Sequence, residues 1–192
     1  MSELAQVEEE LTNTSTTQVK DDAEADDTVA PVRYDITSWG ADYDVEGLVR
    51  RLQRGDILIP EFQRSYVWTL PAASRFVESL LLGLPVPGVF LAREAETNKF
   101  LVIDGQQRLK TLRFFYEGFF NPKSEDKTHR VFSLSSVQNR FEGKTYQTLD
   151  ERDRLKLDNS IIHATIVRQE APPDEDTSMY HILNALIASA CD

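Results

Sequence analysis

The chain has a single cysteine in 192 residues, Cys191, which rules out a disulfide framework and any zinc site built on cysteines. Its three histidines, His129, His163 and His181, lie too far apart for metal-ligand spacing. No apolar run approaches the roughly 18 residues that a membrane span requires. The richest, Leu80-Leu81-Leu82, is cut short by Gly83 and Pro85. The opening Met1-Ser2-Glu3 is acidic and lacks the positive and then apolar stretches of a secretion signal. No glycine-rich Walker pattern occurs, and no elbow motif supports a serine nucleophile. These absences predict a cytoplasmic protein with no membrane partner.

Aromatic residues are missing from the first 33 positions, where Thr, Ser, Asp and Glu dominate. Nine acids (Glu3, Glu8, Glu9, Glu10, Asp21, Asp22, Glu24, Asp26 and Asp27) stand there against Lys20 alone, so −8 of the net charge of −11 belongs to this stretch. Such a segment buries too little apolar surface to offset its ordering entropy, which predicts a disordered acidic tail over residues 1–33. Residues 34–192 then form one domain of nearly balanced charge, and local patches decide whether it meets nucleic acid. Arg50, Arg51 and Arg54 are one such patch, readable as a phosphate contact or as a solvated helix face.

The folded part predicts an α+β domain. Residues 34–39 read as a strand. Asp44 caps a helix whose Val45, Leu48, Val49 and Leu52 share one face, and Gly55 stops it. Ile57-Leu58-Ile59 is a strand ended by Pro60. A second helix starts near Thr69 with Pro71 in its first turn and carries the stripe Leu70, Ala73, Val77, Leu80, Leu81 and Leu84. Residues 86–93 and 99–103 form a hairpin around Glu96-Thr97-Asn98, and a third helix runs from Gly105 to about Glu117. Residues 121–147 carry no clear period. A helix near residues 149–157, a strand near 161–167 and a final helix from about Asp176 complete the pattern. That last helix bears the apolar stripe Met179, Ile182, Leu183, Leu186, Ile187 and Ala190.

One segment concentrates chemistry: Val102-Ile103-Asp104-Gly105-Gln106-Gln107-Arg108-Leu109. A buried strand passes through a glycine turn straight into a helix. The open N–H groups of that helix's first turn form an anion site, which Gly105 lets a phosphate approach closely. Arg108 adds a planar charge suited to phosphate. Gln106 and Gln107 can hold a ribose, a base edge or a water. Asp104, repelled by bare phosphate, would act through a metal ion or by orienting water. A purely structural reading fits the same residues: Asp104 and Gln107 as a capping box, Asp104 and Arg108 as an i,i+4 ion pair. A second segment, Ile59-Pro60-Glu61-Phe62-Gln63-Arg64-Ser65-Tyr66-Val67-Trp68, sets Gln63 and Arg64 between a strand and two aromatics. Tyr66 and Trp68 can pack a base or a neighbouring helix, and two Gln-Arg pairs at strand ends could converge on one pocket.

Taken in order, Ile59 to Trp68, the run Phe76-Val77-Glu78-Ser79-Leu80-Leu81-Leu82-Gly83-Leu84-Pro85, and Val102 to Leu109 closely resemble the N-terminal domain of GmrSD-type, modification-dependent (type IV) restriction enzymes. The likeness runs from about Tyr34 to His181. It implies a relative of the ParB/sulfiredoxin fold whose Asp-Gly-Gln-Gln-Arg motif binds and hydrolyses a nucleoside triphosphate (GTP, ATP or another) with Mg²⁺, controlling attack on modified phage DNA. Carried over by position, the implicated residues are Gln63 and Arg64 with Asp104, Gly105, Gln106, Gln107 and Arg108. Gly105 and Gln106 would hold phosphates. Arg64 and Arg108 would bind the cofactor and neutralise charge during phosphoryl transfer. Asp104 would touch Mg²⁺ and orient the water, which Gln63 and Gln107 would help to position.

Two departures from the family pattern stand out. Lys110 takes the place of a small hydroxyl residue, as a phosphate contact or a solvent-exposed side chain. After Ser178-Met179-Tyr180-His181-Ile182, the family's Asn-Thr-Gly-Gly segment is replaced by Leu183-Asn184-Ala185-Leu186-Ile187-Ala188. The resemblance therefore predicts that the C-terminal nuclease domain is absent and that cleavage needs a separate nuclease subunit. A non-catalytic DNA-binding or regulatory module, or the remnant of a truncated restriction gene, remains the alternative. A homo-oligomer is compatible with either.

Overall fold

The first strand is longer than its sequence signal. In a computed structural model that describes residues 36–60, 65–95, 97–120 and 130–169, β1 spans Ile36–Asp44 and runs directly into helix α1, Val45–Arg54. The remaining elements are β2 (Ile57–Leu58), α2 (Leu70–Leu82), β3 (Val89–Arg93), β4 (Phe100–Asp104), α3 (Gln106–Glu117), β5 (Phe119–Phe120), β6 (Arg130–Val131), a 3-10 turn at Tyr146–Thr148, α4 (Glu151–Asp158) and β7 (Ile161–Gln169). The acidic tail, Gln63 and Arg64, and the final helix with its stripe lie outside the described residues.

Each long helix is bounded by the chemistry its sequence announces. Asp44 accepts a hydrogen bond from the Gly47 N–H at 2.6 Å, and Gly55 closes α1 in the left-handed conformation (φ 74°). Thr69 caps α2 through the Ala72 N–H at 3.4 Å, Pro71 sits in the first turn, and Gly83 closes the helix (φ 75°). Val45, Leu48, Val49 and Leu52 are all buried, as are Leu70, Ala73, Val77, Leu80 and Leu81. Leu84 departs from its expected stripe and is exposed, because it follows the Gly83 turn and no longer shares the helix face.

Five strands form a mixed sheet in the order β1-β7-β3-β4-β2. β7 lies antiparallel to β1 and parallel to β3, with Ala164 opposite Ala41 on one side and Val89 on the other. β3 and β4 make the expected hairpin, and Asn98 supplies its positive φ of 57°. β4 pairs in parallel with the short β2. The alternate residues Val89, Leu91, Val102, Ile162, Ala164 and Ile166 meet the buried faces of α1, α2, α3 and α4 in one core. On the opposite side of the sheet Ala92, Ile103, Val167 and Leu101 make a smaller cluster.

The part of residues 121–147 that is described resolves into core rather than loop. Phe132, Leu134 and Phe141 are buried, and Phe132 packs edge-to-face on Phe115 with centroids 5.1 Å apart. Periodicity misses them because they sit on irregular chain held by backbone bonds such as Leu134 N–H to the Lys144 carbonyl, 2.8 Å. Tyr116 and Tyr146 stack at 4.1 Å, and both hydroxyls donate to Asp158. That triad ties α3 and the 3-10 turn to the end of α4.

Candidate functional site

The strand-to-helix turn forms where expected. β4 is buried at Val102 and Ile103, and the chain then needs a sharp change of direction to enter α3. Gly105 makes it, at φ 97° and ψ 8°, while its carbonyl accepts the first bond of the helix from the Leu109 N–H at 3.0 Å. The turn is also crowded, since a Cβ at Gly105 would lie 2.5 Å from Val89 Cγ1. Glycine is therefore required twice here, by conformation and by space.

α3 starts differently from α1 and α2, with no side-chain cap on its first turn. The capping box between Asp104 and Gln107 does not form. Asp104 instead pairs with Arg108, Oδ2 to Nη2 at 2.6 Å, as the i,i+4 spacing allowed. The pair is asymmetric: the Asp104 side chain is 51% exposed and that of Arg108 only 14%. The guanidinium thus lies against the protein, in van der Waals reach of a Cβ built on Gly105 (3.4 Å), with a carboxylate on its outer side. Gln106, the first helical residue, turns its Oε1 into the protein, where that atom is buried without a hydrogen-bond partner.

Gln107 faces a different element. Its Oε1 accepts from the Val67 N–H at 3.0 Å and the Trp68 N–H at 3.3 Å, and its Nε2 donates to the Ser65 carbonyl at 3.2 Å. Tyr66, between these contacts, is buried edge-to-face against Phe114 (5.2 Å) and Phe120 (5.7 Å). Its hydroxyl lies 2.7 Å from Thr111 Oγ1, and Thr111 in turn donates to the Gln107 carbonyl at 2.7 Å. Thr111 has one hydroxyl proton, so Tyr66 is the donor in the first of these bonds. Burial pushes the Tyr66 phenol up to about 12. Trp68 packs edge-to-face on Phe76 at 5.6 Å. Tyr66 and Trp68 are therefore packing residues. Thr111 is the site neighbour that local sequence reading missed. Its one signal was to be a polar residue among the apolar positions Leu109, Leu112 and Phe115.

The turn brings Asp104, Gly105, Gln106, Gln107 and Arg108 together, and it joins them to the chain that directly follows Gln63 and Arg64. Lys110 is half-buried rather than solvent-exposed. Burial and then the nearby Arg113 pull its ammonium below the ordinary lysine value. Each arginine of the α1 patch has a local contact: Arg50 pairs with Glu46, Arg54 with Asp56 at 2.7 Å, and Arg51 lies 5.3 Å over the Tyr43 ring. His163 bonds to Asp42 across the β1–β7 pair at 2.8 Å. Elsewhere a cleft of about 310 Å³ is lined by Arg140, Asp150, Arg152, Asp153 and Lys156. No helix is long and apolar enough to cross a membrane among the described residues. Nor do those residues hold a group of three or more His, Cys, Asp or Glu that could bind a metal.

Comparison with known proteins gives residues 45–186 a family setting. The description "GmrSD restriction endonuclease, N-terminal domain" matches residues 45–186, from the start of α1 to beyond the end of β7. An uncharacterized protein of Methanocaldococcus jannaschii is 30% identical over 110 residues, which take in 44% of this chain and 19% of that protein. The chain thus spans about a fifth of that relative's length. No solved structure matches.

Proposed function

Because the chain belongs to the family of GmrSD restriction endonuclease N-terminal domains, we propose that it is the nucleotide-binding and nucleotide-hydrolysing part of a restriction system directed at modified DNA. Membership supports the restriction role. The nucleotide reading rests on one observation: an uncapped helix start, entered through Gly105, beside a guanidinium whose direction is fixed by Asp104. An uncapped first turn offers backbone N–H donors and the positive end of the helix dipole to an anion. The triphosphate is GTP, ATP or a relative, and the ParB/sulfiredoxin kinship belongs to the same reading.

In this scheme Gly105 admits phosphate to the backbone and Gln106 contributes its amide. Arg108 counters the charge on the phosphoryl oxygens as the bond from the γ-phosphorus to the bridging oxygen breaks. A water oxygen forms the new bond to phosphorus, and its proton passes to the medium through the released phosphate. Asp104, half-exposed at the rim, orients that water. One carboxylate suits a metal that arrives on the nucleotide better than one resident in the protein. Mg²⁺ held in this way would neutralise phosphate charge. Gln63 and Arg64 are assigned to the same nucleotide, and modified DNA and a nuclease subunit are the proposed partners.

The satisfied ion pair between Asp104 and Arg108 favours a second reading, nucleotide binding without turnover in a regulatory module. Phosphate release by the purified chain with Mg²⁺ and each nucleotide, beside equilibrium binding, separates the two. Hydrolysis lost in Arg108→Ala supports the enzyme, and binding without release supports the regulatory module. Release equal in wild type and Arg108→Ala assigns the activity to another protein and overturns the proposal.

A further inference from the structure

We infer that Gln107 is a positioning residue, whose carboxamide holds residues 65–68 against the first turn of α3 and does not touch nucleotide. The inference rests on the reading of this turn as a nucleotide site, and it reassigns one of its five residues.

The argument is a count of polar groups. Residues 65–68 belong to no helix or strand, so their backbone donors and acceptors need partners from elsewhere. Gln107 supplies three. An amide oxygen has two lone pairs, and here both are used, by the N–H groups of Val67 and Trp68. One N–H of the same amide goes to the Ser65 carbonyl. The residue's own carbonyl is engaged as well, by Thr111, whose oxygen accepts a hydrogen bond from the Tyr66 hydroxyl. Contacts from Gln107 thus reach the backbone on both sides of Tyr66, while the Tyr66 side chain returns through Thr111 to Gln107. The ring is closed, and a carboxamide turned toward a ligand would open it at three points.

Glutamine suits this task by shape. It carries a two-lone-pair acceptor and a donor in one plane, the same set that a neighbouring strand would present. Its two methylenes span the gap from the helix. Asparagine is one methylene shorter, and glutamate keeps the acceptors but meets the Ser65 carbonyl with a second oxygen. What Gln107 retains for a phosphate is its backbone N–H, which lies in the first turn and has no acceptor within the helix. The clamp also reaches α2, because Trp68 directly precedes the Thr69 cap. An anion on the first turn of α3 and the start of α2 are therefore linked through one side chain.

Hydrogen exchange of the Val67 and Trp68 amides in the full chain tests this. Without nucleotide, Gln107→Ala should speed their exchange by about 5- to 10-fold, the loss expected for a net hydrogen bond. Gln107→Glu should keep both amides protected. With saturating Mg-ATP or Mg-GTP, the wild-type amides should exchange no faster than without it, a readout that loss of packing alone would not supply. Faster exchange in wild type on adding nucleotide means the carboxamide leaves for the ligand and overturns the inference. So does an Ala variant whose two amides exchange at the wild-type rate. If the Ala variant does not fold, the Glu variant decides, and unprotected Val67 and Trp68 amides there overturn the inference. The nucleotide-free arms hold even if no nucleotide binds, an outcome that would instead remove the function proposed above.

Discussion

Gly105 and Val89 approach each other so closely that residue 105 has no room for a side chain: its Cβ would stand 2.5 Å from Val89 Cγ1. Gly105→Ala adds that clash to a left-handed backbone, which costs about 1–3 kcal/mol for a residue other than glycine. The variant should melt several degrees below wild type. The double variant with Val89→Ala should lose less than the sum of the two single losses, since that change removes Cγ1 but leaves the Val89 Cβ 3.0 Å away, the strained φ of 97° and a cavity in the core. Thermal unfolding of the two single variants and the double variant measures this.

Arg108 is largely buried against the turn, whereas its partner Asp104 is half-exposed. Arg108→Ala should remove a charge-assisted phosphate contact worth roughly 1.5–3 kcal/mol, or about 10- to 150-fold in nucleotide affinity. Arg108→Lys should recover part of this, because an ammonium keeps the charge without the planar fork. Calorimetric titration with nucleotide distinguishes the three proteins, and circular dichroism checks that each is folded.

Tyr66 gives the fold an alkaline limit. Its phenol rises from the ordinary 10.0 to about 12 on folding, because burial disfavours the phenolate. The unfolded chain therefore loses this proton first. The stabilisation is complete below pH 10 and disappears as pH climbs from 10 towards 12. Tyr66→Phe should flatten the fall of stability with pH in that window. It should not abolish it, since Tyr146 is also pushed up to about 12 by burial and by Asp158. Denaturant unfolding at a series of pH values supplies the slopes.

The tail offers a simpler prediction. Residues 1–33 contain no aromatic residue and carry −8 of the net charge. Deleting them should leave the melting temperature unchanged within a degree or two.

Helix ends were legible because they are local. Asp44, Thr69, Gly55 and Gly83 act on residues within one turn of themselves, and the sequence around each contains the whole interaction. Gln107 was not legible for the opposite reason. Read locally it suggests a cap or a ligand for nucleotide, but its partners lie about 40 positions earlier and meet it only after α3 has packed on the 65–68 connection. The same limit explains Phe132 and Phe141, whose burial depends on irregular chain wrapped over the core. Strands β2, β3, β4 and β7 followed from apolar runs, whereas the two-residue β5 and β6 did not, and the place of the last strand between the first and third had no local signature.

That place governs when the protein can exist during its own synthesis. β1 finds its sheet partner, β7, only when residues 161–169 have been made, more than a hundred positions later. Until then β1 has no neighbour in the sheet, and β3 is open along one edge. Contacts so distant along the chain are slow to close and leave strand edges bare while they wait. A ribosome that stalls between Arg108 and Ile161 therefore holds a chain that already contains every residue of the Asp104 turn and still cannot complete the sheet beneath it.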